Sequence, residues 1–209
     1  MKKMIFKILA FLIIVPILYV LVVILVGVFT QYQPEVETKI EISSKNVQEL
    51  EKDSLILYTW NIGYAGLDKK SDFFFFCGKM VRPPKERVRA SMDGILSEIN
   101  SWNDADVVFL QEVDVASKRS YYTPEMQEII DAQKDFPVSV FGLNYQVKYV
   151  PKPYLEPMGE VKSGILMFSK YNISEAKRIS YPGEFPFPVG VFFLNRCFTI
   201  SRIPYNGNE

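Results

Sequence analysis

Histidine is absent from the 209-residue sequence, and cysteine occurs only twice. The missing histidine removes the side chain that most often serves as a general acid or base near neutral pH. Cys77 and Cys197 are too far apart to match a metal-ligand spacing, and each is interpreted as a small buried apolar residue or a spare thiol. Chemistry that relies on histidine or on a cysteine cluster is therefore not expected from these residues.

The sequence also has no excess of positive charge, because it contains 24 basic and 24 acidic residues. All the charges within residues 1–29 are basic, so the rest of the chain has a slight acidic excess. Surfaces that bind nucleic acid usually show a basic patch or stripe. The composition therefore gives no electrostatic support for a nucleic-acid partner. Apolar residues make up 48% of the chain, which is enough for a hydrophobic core.

Charge disappears altogether over residues 8–29, which are almost entirely apolar. This length suits a membrane-spanning helix, which needs about 20 residues at a rise of about 1.5 Å each. Three lysines precede the stretch, and no basic residue follows before Lys39, so the positive-inside rule predicts a cytoplasmic N-terminus and an external folded part. We favour a single-pass signal anchor in the cell membrane over a cleaved signal peptide, whose apolar region is usually about 7–15 residues. A buried soluble helix ranks third, since the stretch has no polar face.

Changes in composition divide the chain into four parts. Residues 1–7 form a short cytoplasmic N-terminus, and residues 8–29 form the anchor, whose expected partner is the lipid bilayer. Residues 30–54 are polar with mixed charge and are predicted to form a linker or stalk. Residues 55–209 show the apolar patterns of a folded domain. No stable protein partner is predicted.

Strand and helix patterns alternate in the first half of the folded part. The segment LILYTWNIG predicts a strand that ends at Asn61, and VVFLQE predicts a strand that ends at Glu112. Residues 83–102 place apolar side chains at helical spacing, and a second helix is predicted from Thr123. Three later segments are predicted strands: YQVKYV, SGILMFSK and VFFLNRCFTISRI. This order predicts an α/β or α+β sandwich.

Polar side chains end the two early strands. Ligand sites in open α/β folds gather outside the carboxyl ends of the strands, so Asn61 and Glu112 are expected to converge if their strands are neighbours. Carboxylate and amide oxygens are hard ligands that suit Mg²⁺, Mn²⁺ or Ca²⁺ better than zinc. In the alternative, Glu112 caps a backbone group or pairs with a lysine. Glu112 taken alone slightly favours that alternative.

Together, the segments TWNIG and DADVVFLQEVD resemble the endonuclease/exonuclease/phosphatase superfamily of DNase-I-like metal-dependent phosphoesterases. VKSGILMFSKYNI and FFLNRCFTISRI are similar to later strands of that family, so the resemblance covers most of residues 55–203. It is nearest to bacterial membrane-anchored members. The resemblance implies a sandwich of two β-sheets flanked by helices. It also implies hydrolysis of a phosphate ester by water with the help of Mg²⁺ or Mn²⁺.

The resemblance implies roles for individual residues. Glu112 would bind the catalytic metal, and Asn61 would assist the metal site and orient a phosphate oxygen. Arg196 would contact the scissile phosphate. Tyr154 is a weaker candidate for a phosphate contact, and a packing role is the alternative. Two residues that flank Glu112 are expected to support it or its turn: Gln111 and Asp114.

The C-terminal part of the sequence departs from the family pattern. The family's Asp-x-Asn pair, Asn-x-His-Leu strand and Asp-His pair are all missing. The segment SRIPYNGNE is interpreted as a hairpin with its turn at Asn206–Gly207. The sequence therefore predicts the N-terminal portion of a catalytic domain, incomplete at its C-terminus and inactive by itself. The alternative is a membrane-anchored binding or interaction module that keeps the fold without catalysis. The substrate class stays open.

Four consecutive phenylalanines, Phe73–Phe76, lie between the first strand and the first helix of the folded part. They cannot all face one way on a helix or a strand. One interpretation is a lip that touches substrate or membrane, with Lys79 and Arg82 contacting phosphate or lipid headgroups. The other, given equal weight, is a loop folded back into the core.

Overall fold

The computed structural model describes residues 2–44, 47–183 and 185–206, so Gly207 of the expected hairpin turn lies outside the described residues. The helices are α1 (Lys2–Thr30), α2 (Lys85–Ser101) and α3 (Glu125–Ala132). The strands are β1 (Glu37–Lys39), β2 (Ile42–Ser44), β3 (Leu57–Asn61), β4 (Val107–Asp114), β5 (Val138–Val150), β6 (Gly159–Ser169), β7 (Glu175–Ser180) and β8 (Cys197–Arg202).

The strands form two sheets. The larger sheet has the order β2-β5-β6-β4-β3, and the smaller sheet has the order β1-β7-β8. β3 and β4 are parallel, whereas the other neighbouring strands are antiparallel. The parallel pair is joined through α2, as the alternation of strand and helix patterns predicts. The predicted two-sheet α+β architecture of the DNase-I-like fold is confirmed.

Helix α2 covers one face of the larger sheet. Pro84 directly precedes the helix, where its missing N–H costs nothing. The fully buried positions follow the predicted helical spacing: Val88, Met92, Ile95 and Ile99. They pack in one cluster with Leu110 of β4 and Ile129 of α3. The apolar stripe of α2 therefore holds the helix against the β3–β4 pair, whose carboxyl ends carry the candidate site.

A second core lies between the two sheets. Val140 of β5, Met167 of β6 and Ala176 of β7 are buried in one cluster. The sheets approach closely at Gly142, where an added Cβ would lie 2.5 Å from Cγ2 of Thr199 in β8. A side chain at Gly142 would push the sheets apart. The layers are thus helices, larger sheet and smaller sheet.

The expected linker over residues 30–54 is only partly a linker. β1 pairs with β7 at the edge of the smaller sheet, and β2 pairs with β5 at the edge of the larger one. Ile40 and Ile42 pack against the core between the sheets. Their alternation with polar residues is a strand pattern that the polar composition of the segment concealed.

The long strand expected over residues 191–203 is also corrected. Val189–Phe192 forms a 3₁₀ turn, and the strand begins only at Cys197. The ring centroids of Phe185 and Phe193 lie 4.0 Å apart. The turn packs against Gly27 of α1. The apolar residues before Cys197 therefore pack within a turn rather than in a sheet, which apolar composition alone does not distinguish.

Helix α1 contains the whole charge-free stretch. By its length and composition it is a candidate membrane span or signal anchor. Most of its side chains are exposed on the outside of the protein.

Candidate functional site at the ends of the parallel strands

Parallel pairing brings the two predicted strand-end residues together. Asn61, the last residue of β3, lies opposite Gln111 of β4. Glu112 is the next residue of β4 and so reaches the same edge of the sheet. The convergence expected from the sequence is therefore present in the structure.

A β-bulge redirects Glu112. The ladder between β4 and β6 shifts register between Leu110 and Val113, and Glu112 has a φ of 56°. A residue other than glycine in this left-handed region costs about 1–3 kcal/mol, and such strain is concentrated at functional sites. Bulges beside active sites commonly re-aim one side chain. Here the bulge takes Glu112 out of the regular ladder, close to the end of β3.

Asn61 holds the Glu112 carboxylate. The Nδ2 group of Asn61 donates to Oε1 of Glu112 at 3.1 Å, and Oδ1 of Asn61 accepts from the N–H of Gly63 at 2.9 Å. The Gly63 donor fixes which end of the amide is oxygen, because an N–H needs an acceptor. Oδ1 of Asn61, which the sequence pattern suggested as a metal ligand, thus accepts a hydrogen bond from the backbone N–H of Gly63. Asn61 is placed to orient Glu112.

The loop after β3 is strained next to this pair. Gly63, Tyr64 and Ala65 have φ values of 56°, 43° and 50°. Tyr64 is buried, and burial raises the pKa of its phenol well above the usual range. Its ring lies 3.7 Å from the guanidinium carbon of Arg119. The left-handed turn therefore stacks an aromatic ring on a buried cation beside the strand ends.

Arg119 belongs to a buried ion pair that sequence reasoning missed. It donates to both oxygens of Asp114 at 3.2 and 2.8 Å, and the Ser120 hydroxyl donates to the same carboxylate at 2.7 Å. Burial opposes the charge on Arg119, but Asp114 outweighs it and holds the pKa of Arg119 above its usual range. Asp114, expected to support Glu112 or the turn after it, anchors the loop after β4 through these bonds. The sequence pattern that could have indicated this buried ion pair is an acidic residue at a buried strand end, followed a few residues later by Arg-Ser.

Glu125 completes this buried network from α3. Its Oε2 accepts from the backbone N–H of Asp114 at 2.9 Å, while its Oε1 is buried without a hydrogen-bond partner among the described residues. Burial, and then the charge of Asp114, raise the pKa of Glu125 well above its usual range. Glu125 lies in the first turn of α3, where an acidic residue is common at the surface, so its position in the sequence does not reveal its burial.

Arg196 and Gln111 make no side-chain contact with the strand-end pair among the described residues. Arg196 is exposed ahead of β8, where its carbonyl accepts from Tyr181. Within residues 2–44, 47–183 and 185–206, no hydrogen bond or ion pair joins Arg196 to Asn61 or Glu112. The side chain of Gln111 donates to Thr59 at 3.0 Å. The structure thus brings together two of the predicted residues and leaves Arg196 on the smaller sheet.

The candidates for weak phosphate contacts lie in surface loops. Tyr154 is 75% exposed in the loop between β5 and β6. Lys79 is exposed, and Arg82 pairs with Glu156 at 3.2 Å. The phenylalanine segment is divided, because Phe74 packs against a buried cluster while later members remain exposed. The loop is therefore folded back onto the core only at Phe74, and contact of the exposed members with substrate or membrane stays a prediction.

The residues at the strand ends could hold a metal ion through a single carboxylate. No group of three or more acidic, cysteine or histidine side chains is arranged for a metal within the described part of the chain. Mg²⁺ is usually bound by one or two carboxylates together with water and substrate phosphate. The second oxygen of Glu112 has no hydrogen-bond partner among the described residues. Glu112 therefore suits a single-carboxylate site, with Asn61 as its support.

The fold is an α+β sandwich of the DNase-I-like type, with an acid and an amide at the carboxyl ends of a parallel strand pair. The model of the endonuclease/exonuclease/phosphatase family matches residues 58–206. The chain belongs to this family, whose members are hydrolases of phosphoesterase or nuclease type. No curated protein and no solved structure matches the chain.

Proposed function

We propose that the protein is a membrane-anchored phosphoesterase that uses Mg²⁺ or Mn²⁺ bound by Glu112. The observation that carries the proposal is the strained bulge at Glu112, whose carboxylate is held by Asn61 at 3.1 Å. A strained backbone and a fixed carboxylate at a strand end have no packing benefit of their own. They are accounted for if the carboxylate has to meet an ion.

The chain's own residues prepare that ion site. Glu112 supplies one negative charge, and Asn61 fixes the direction of the carboxylate through the Gly63 N–H. A bound divalent ion would polarise the phosphate ester and offset the charge that builds on its oxygens. The substrate class within phosphate esters stays open, since one fold carries many activities.

Turnover by this chain alone is proposed to be absent. The sequence contains no histidine, and Arg196 directly precedes β8 of the smaller sheet, whereas Glu112 lies in the larger one. A general base and an acid for the leaving group are therefore not supplied by the residues around Asn61. Ion binding without turnover would also suit the alternative of a binding module that keeps the fold.

The anchor is proposed to be α1 in the cell membrane. The lysines before its apolar stretch support a cytoplasmic N-terminus, which places the folded part and Glu112 outside the cytoplasm.

Metal binding by the full chain in detergent or lipid nanodiscs tests the proposal. Titration with Mn²⁺, followed by electron paramagnetic resonance, is expected to show one site that Glu112→Gln removes. Glu86→Gln, at an exposed position of α2, is the matched control and should bind as the unaltered chain does. Equal binding by both variants would refute the role of Glu112.

A second measurement separates binding from catalysis. The same samples are incubated with a generic phosphodiester and Mg²⁺. No hydrolysis is expected. Robust hydrolysis that Glu112→Ala abolishes would overturn the expectation of an inactive chain while supporting Glu112 as the metal ligand.

A further inference from the structure

Arg119 joins the two segments of chain that carry the strand-end pair. On one side, its guanidinium donates to both oxygens of Asp114, which lies two residues after Glu112. On the other side, the guanidinium carbon lies 3.7 Å from the centre of the Tyr64 ring, and Tyr64 lies three residues after Asn61. Arg119 therefore links the loop after β3 to the end of β4, in addition to the pairing of the two strands.

This link is enclosed within the protein. The side chain of Arg119 is only 8% exposed, and that of Asp114 is fully buried. A second aromatic ring, that of Tyr145 in β5, lies 5.9 Å from the guanidinium carbon. The cation thus has two rings and one carboxylate as partners, and it cannot exchange them for water while the domain stays folded.

Asp114 is held from three further directions. The Ser120 hydroxyl donates to its carboxylate at 2.7 Å, and its backbone N–H donates to Glu125 at 2.9 Å. It also pairs with Ser163 of β6 in the larger sheet. Asp114 is therefore a fixed point, and Arg119 carries its position across to the loop after β3.

Backbone strain is concentrated in the three segments that Arg119 joins. Seven non-glycine residues have a positive φ in the described part of the chain, and two of them are elsewhere. The other five lie in the loop after β3, at the bulge of β4 and in the turn that follows Arg119: Tyr64, Ala65, Glu112, Tyr121 and Tyr122. Such residues persist only where the surrounding structure over-determines them. The contacts of Arg119 supply part of that constraint.

Stability alone does not account for the buried ion pair. Taking two charges out of water is costly, so such a pair commonly adds no stability over well-packed apolar side chains of the same volume. Its particular property is direction, because the planar guanidinium donates twice to one carboxylate while its face stacks on a ring. Arg119 uses both of these geometries at once, one toward Asp114 and one toward Tyr64.

We propose that Arg119 is a positioning residue of the strand-end site, which holds Tyr64 against Asp114 and thereby keeps Asn61 at hydrogen-bonding distance from Glu112. The importance of this for ion binding rests on the proposed role of Glu112 as the metal ligand. Arg119 acts through Tyr64 and Asn61 rather than by touching the ion.

The route from Arg119 to the carboxylate runs through one turn of backbone. Tyr64 directly follows Gly63, whose N–H holds Oδ1 of Asn61 at 2.9 Å, and Asn61 in turn donates to Glu112 at 3.1 Å. Burial is the largest cause of the raised pKa of Tyr64, and the charge of Glu112 also raises it, so the phenol lies within electrostatic range of the carboxylate. Without the stack on Arg119, the strained turn is free to relax, and the Gly63 N–H no longer fixes Asn61.

Mn²⁺ titration of the full chain in detergent, followed by electron paramagnetic resonance, tests the effect on ion binding. Arg119→Lys keeps the positive charge but loses the planar fork and its stacking face. It is expected to lower the Mn²⁺ affinity about 10-fold, the lower end of the usual loss for an orienting group, because Arg119 acts through other residues. Val140→Ala, in the core between the sheets, is the control for stability. It should lower the unfolding midpoint and leave the affinity unchanged.

Two substitutions of Tyr64 form a matched pair. Tyr64→Leu removes the ring but leaves the ion pair of Arg119 with Asp114, and it is expected to lower the affinity as Arg119→Lys does. Tyr64→Phe keeps the ring over the guanidinium and should bind as the unaltered chain does. This pair also decides the proposal if Arg119→Lys does not fold.

A measurement without metal separates this proposal from the metal site. Nuclear magnetic resonance of the ¹⁵N-labelled chain follows the exchange of the Asn61 side-chain amide protons with water, and Asn61→Asp identifies their signal. Exchange in Arg119→Lys and in Tyr64→Leu is expected to be as fast as in Glu112→Ala, which lacks the acceptor. Tyr64→Phe should exchange as slowly as the unaltered chain.

The possible outcomes distinguish the two proposals. If the native chain binds no Mn²⁺ but the amide exchange follows the expected order, Glu112 is not a metal ligand, yet Arg119 still positions Asn61. If Val140→Ala loses as much affinity as Arg119→Lys, the effect is one of stability, and the positioning role is refuted. Unchanged exchange in Tyr64→Leu would also refute it, whether or not the chain binds Mn²⁺.

Discussion

Glu112 combines two unfavourable features that Asn61 helps to balance. Its φ of 56° carries strain, and its carboxylate stands at the end of a strand that is otherwise largely buried. The hydrogen bond from Asn61 holds one oxygen of the carboxylate, while the Gly63 N–H holds Asn61 in turn. The direction of the carboxylate is thus set by a chain of two hydrogen bonds.

Removal of this support is expected to weaken ion binding without removing the ligand. Asn61→Ala should lower the affinity for Mn²⁺ by about 10–100-fold, the usual loss when a group that orients a metal ligand is removed. Gln111→Ala is the control, because Gln111 is the neighbour of Glu112 but bonds Thr59. Titration under the same conditions measures both variants. Equal affinities for both would show that Asn61 does not orient the ligand.

The sequence predicted the identity of the strand-end pair but not its internal arrangement. Two apolar runs that end in polar residues, with a helix between them, were sufficient to place Asn61 and Glu112 at one edge. The direction of the Asn61 amide depends on the left-handed turn at Gly63, and the bulge depends on the register with β6. Both follow from tertiary pairing, which residue patterns over a short window do not contain.

At the scale of elements, long periodic segments were predictable and short or edge elements were not. The apolar stripe of α2 continues over about three turns, so its helix and its buried face follow from spacing alone. β1 and β2 have three residues each, too few for a pattern to stand out from a polar background. Arg119 and Glu125 were missed because a charged residue is normally exposed, and only the partners reveal its burial.

The loop after β3 is fastened to α2 by an ion pair with a clear pH signature. Arg87 donates to both oxygens of Asp68, and this bond is the main cause that lowers the pKa of Asp68 from 3.8 to about 2. A lowered carboxyl pKa contributes stability above the unfolded-state value and loses it as the pH falls through the folded-state value. The contribution of Asp68 is therefore complete above pH 3.8 and lost toward pH 2.

Asp68→Asn is expected to lower the free energy of unfolding by about 0.5–1 kcal/mol at pH 7, since water partly screens the pair. The difference from the unaltered chain should shrink between pH 4 and about pH 2, as Asp68 is protonated in the parent. Urea unfolding across this range measures it. Asp93→Asn, which breaks a more exposed pair within α2, should show a smaller effect. A difference that stays constant down to pH 2 would contradict the assigned role.

At the scale of the whole molecule, the segment between α1 and β3 belongs to both sheets. β1 completes the smaller sheet, β2 completes the larger one, and Leu50 is buried at 6% exposure. The chain therefore leaves α1 and closes an edge of each layer before it enters the core. This arrangement ties α1 to the fold over a short distance. If α1 is the proposed anchor, the domain is held close to the membrane and not on a long stalk.

A comparison of two shortened chains tests this arrangement. A chain of residues 55–209 should unfold more easily than one of residues 31–209, because it loses the core contacts of Ile40, Ile42 and Leu50. At about 1.5–3 kcal/mol for each fully buried aliphatic side chain, and less for the two half-buried ones, the loss is about 3–6 kcal/mol. Both newly exposed sheet edges should also promote self-association. Thermal unfolding and size-exclusion chromatography measure the two effects. Equal unfolding midpoints and a monomeric shorter chain would show that residues 30–54 act only as a linker and do not stabilise the fold.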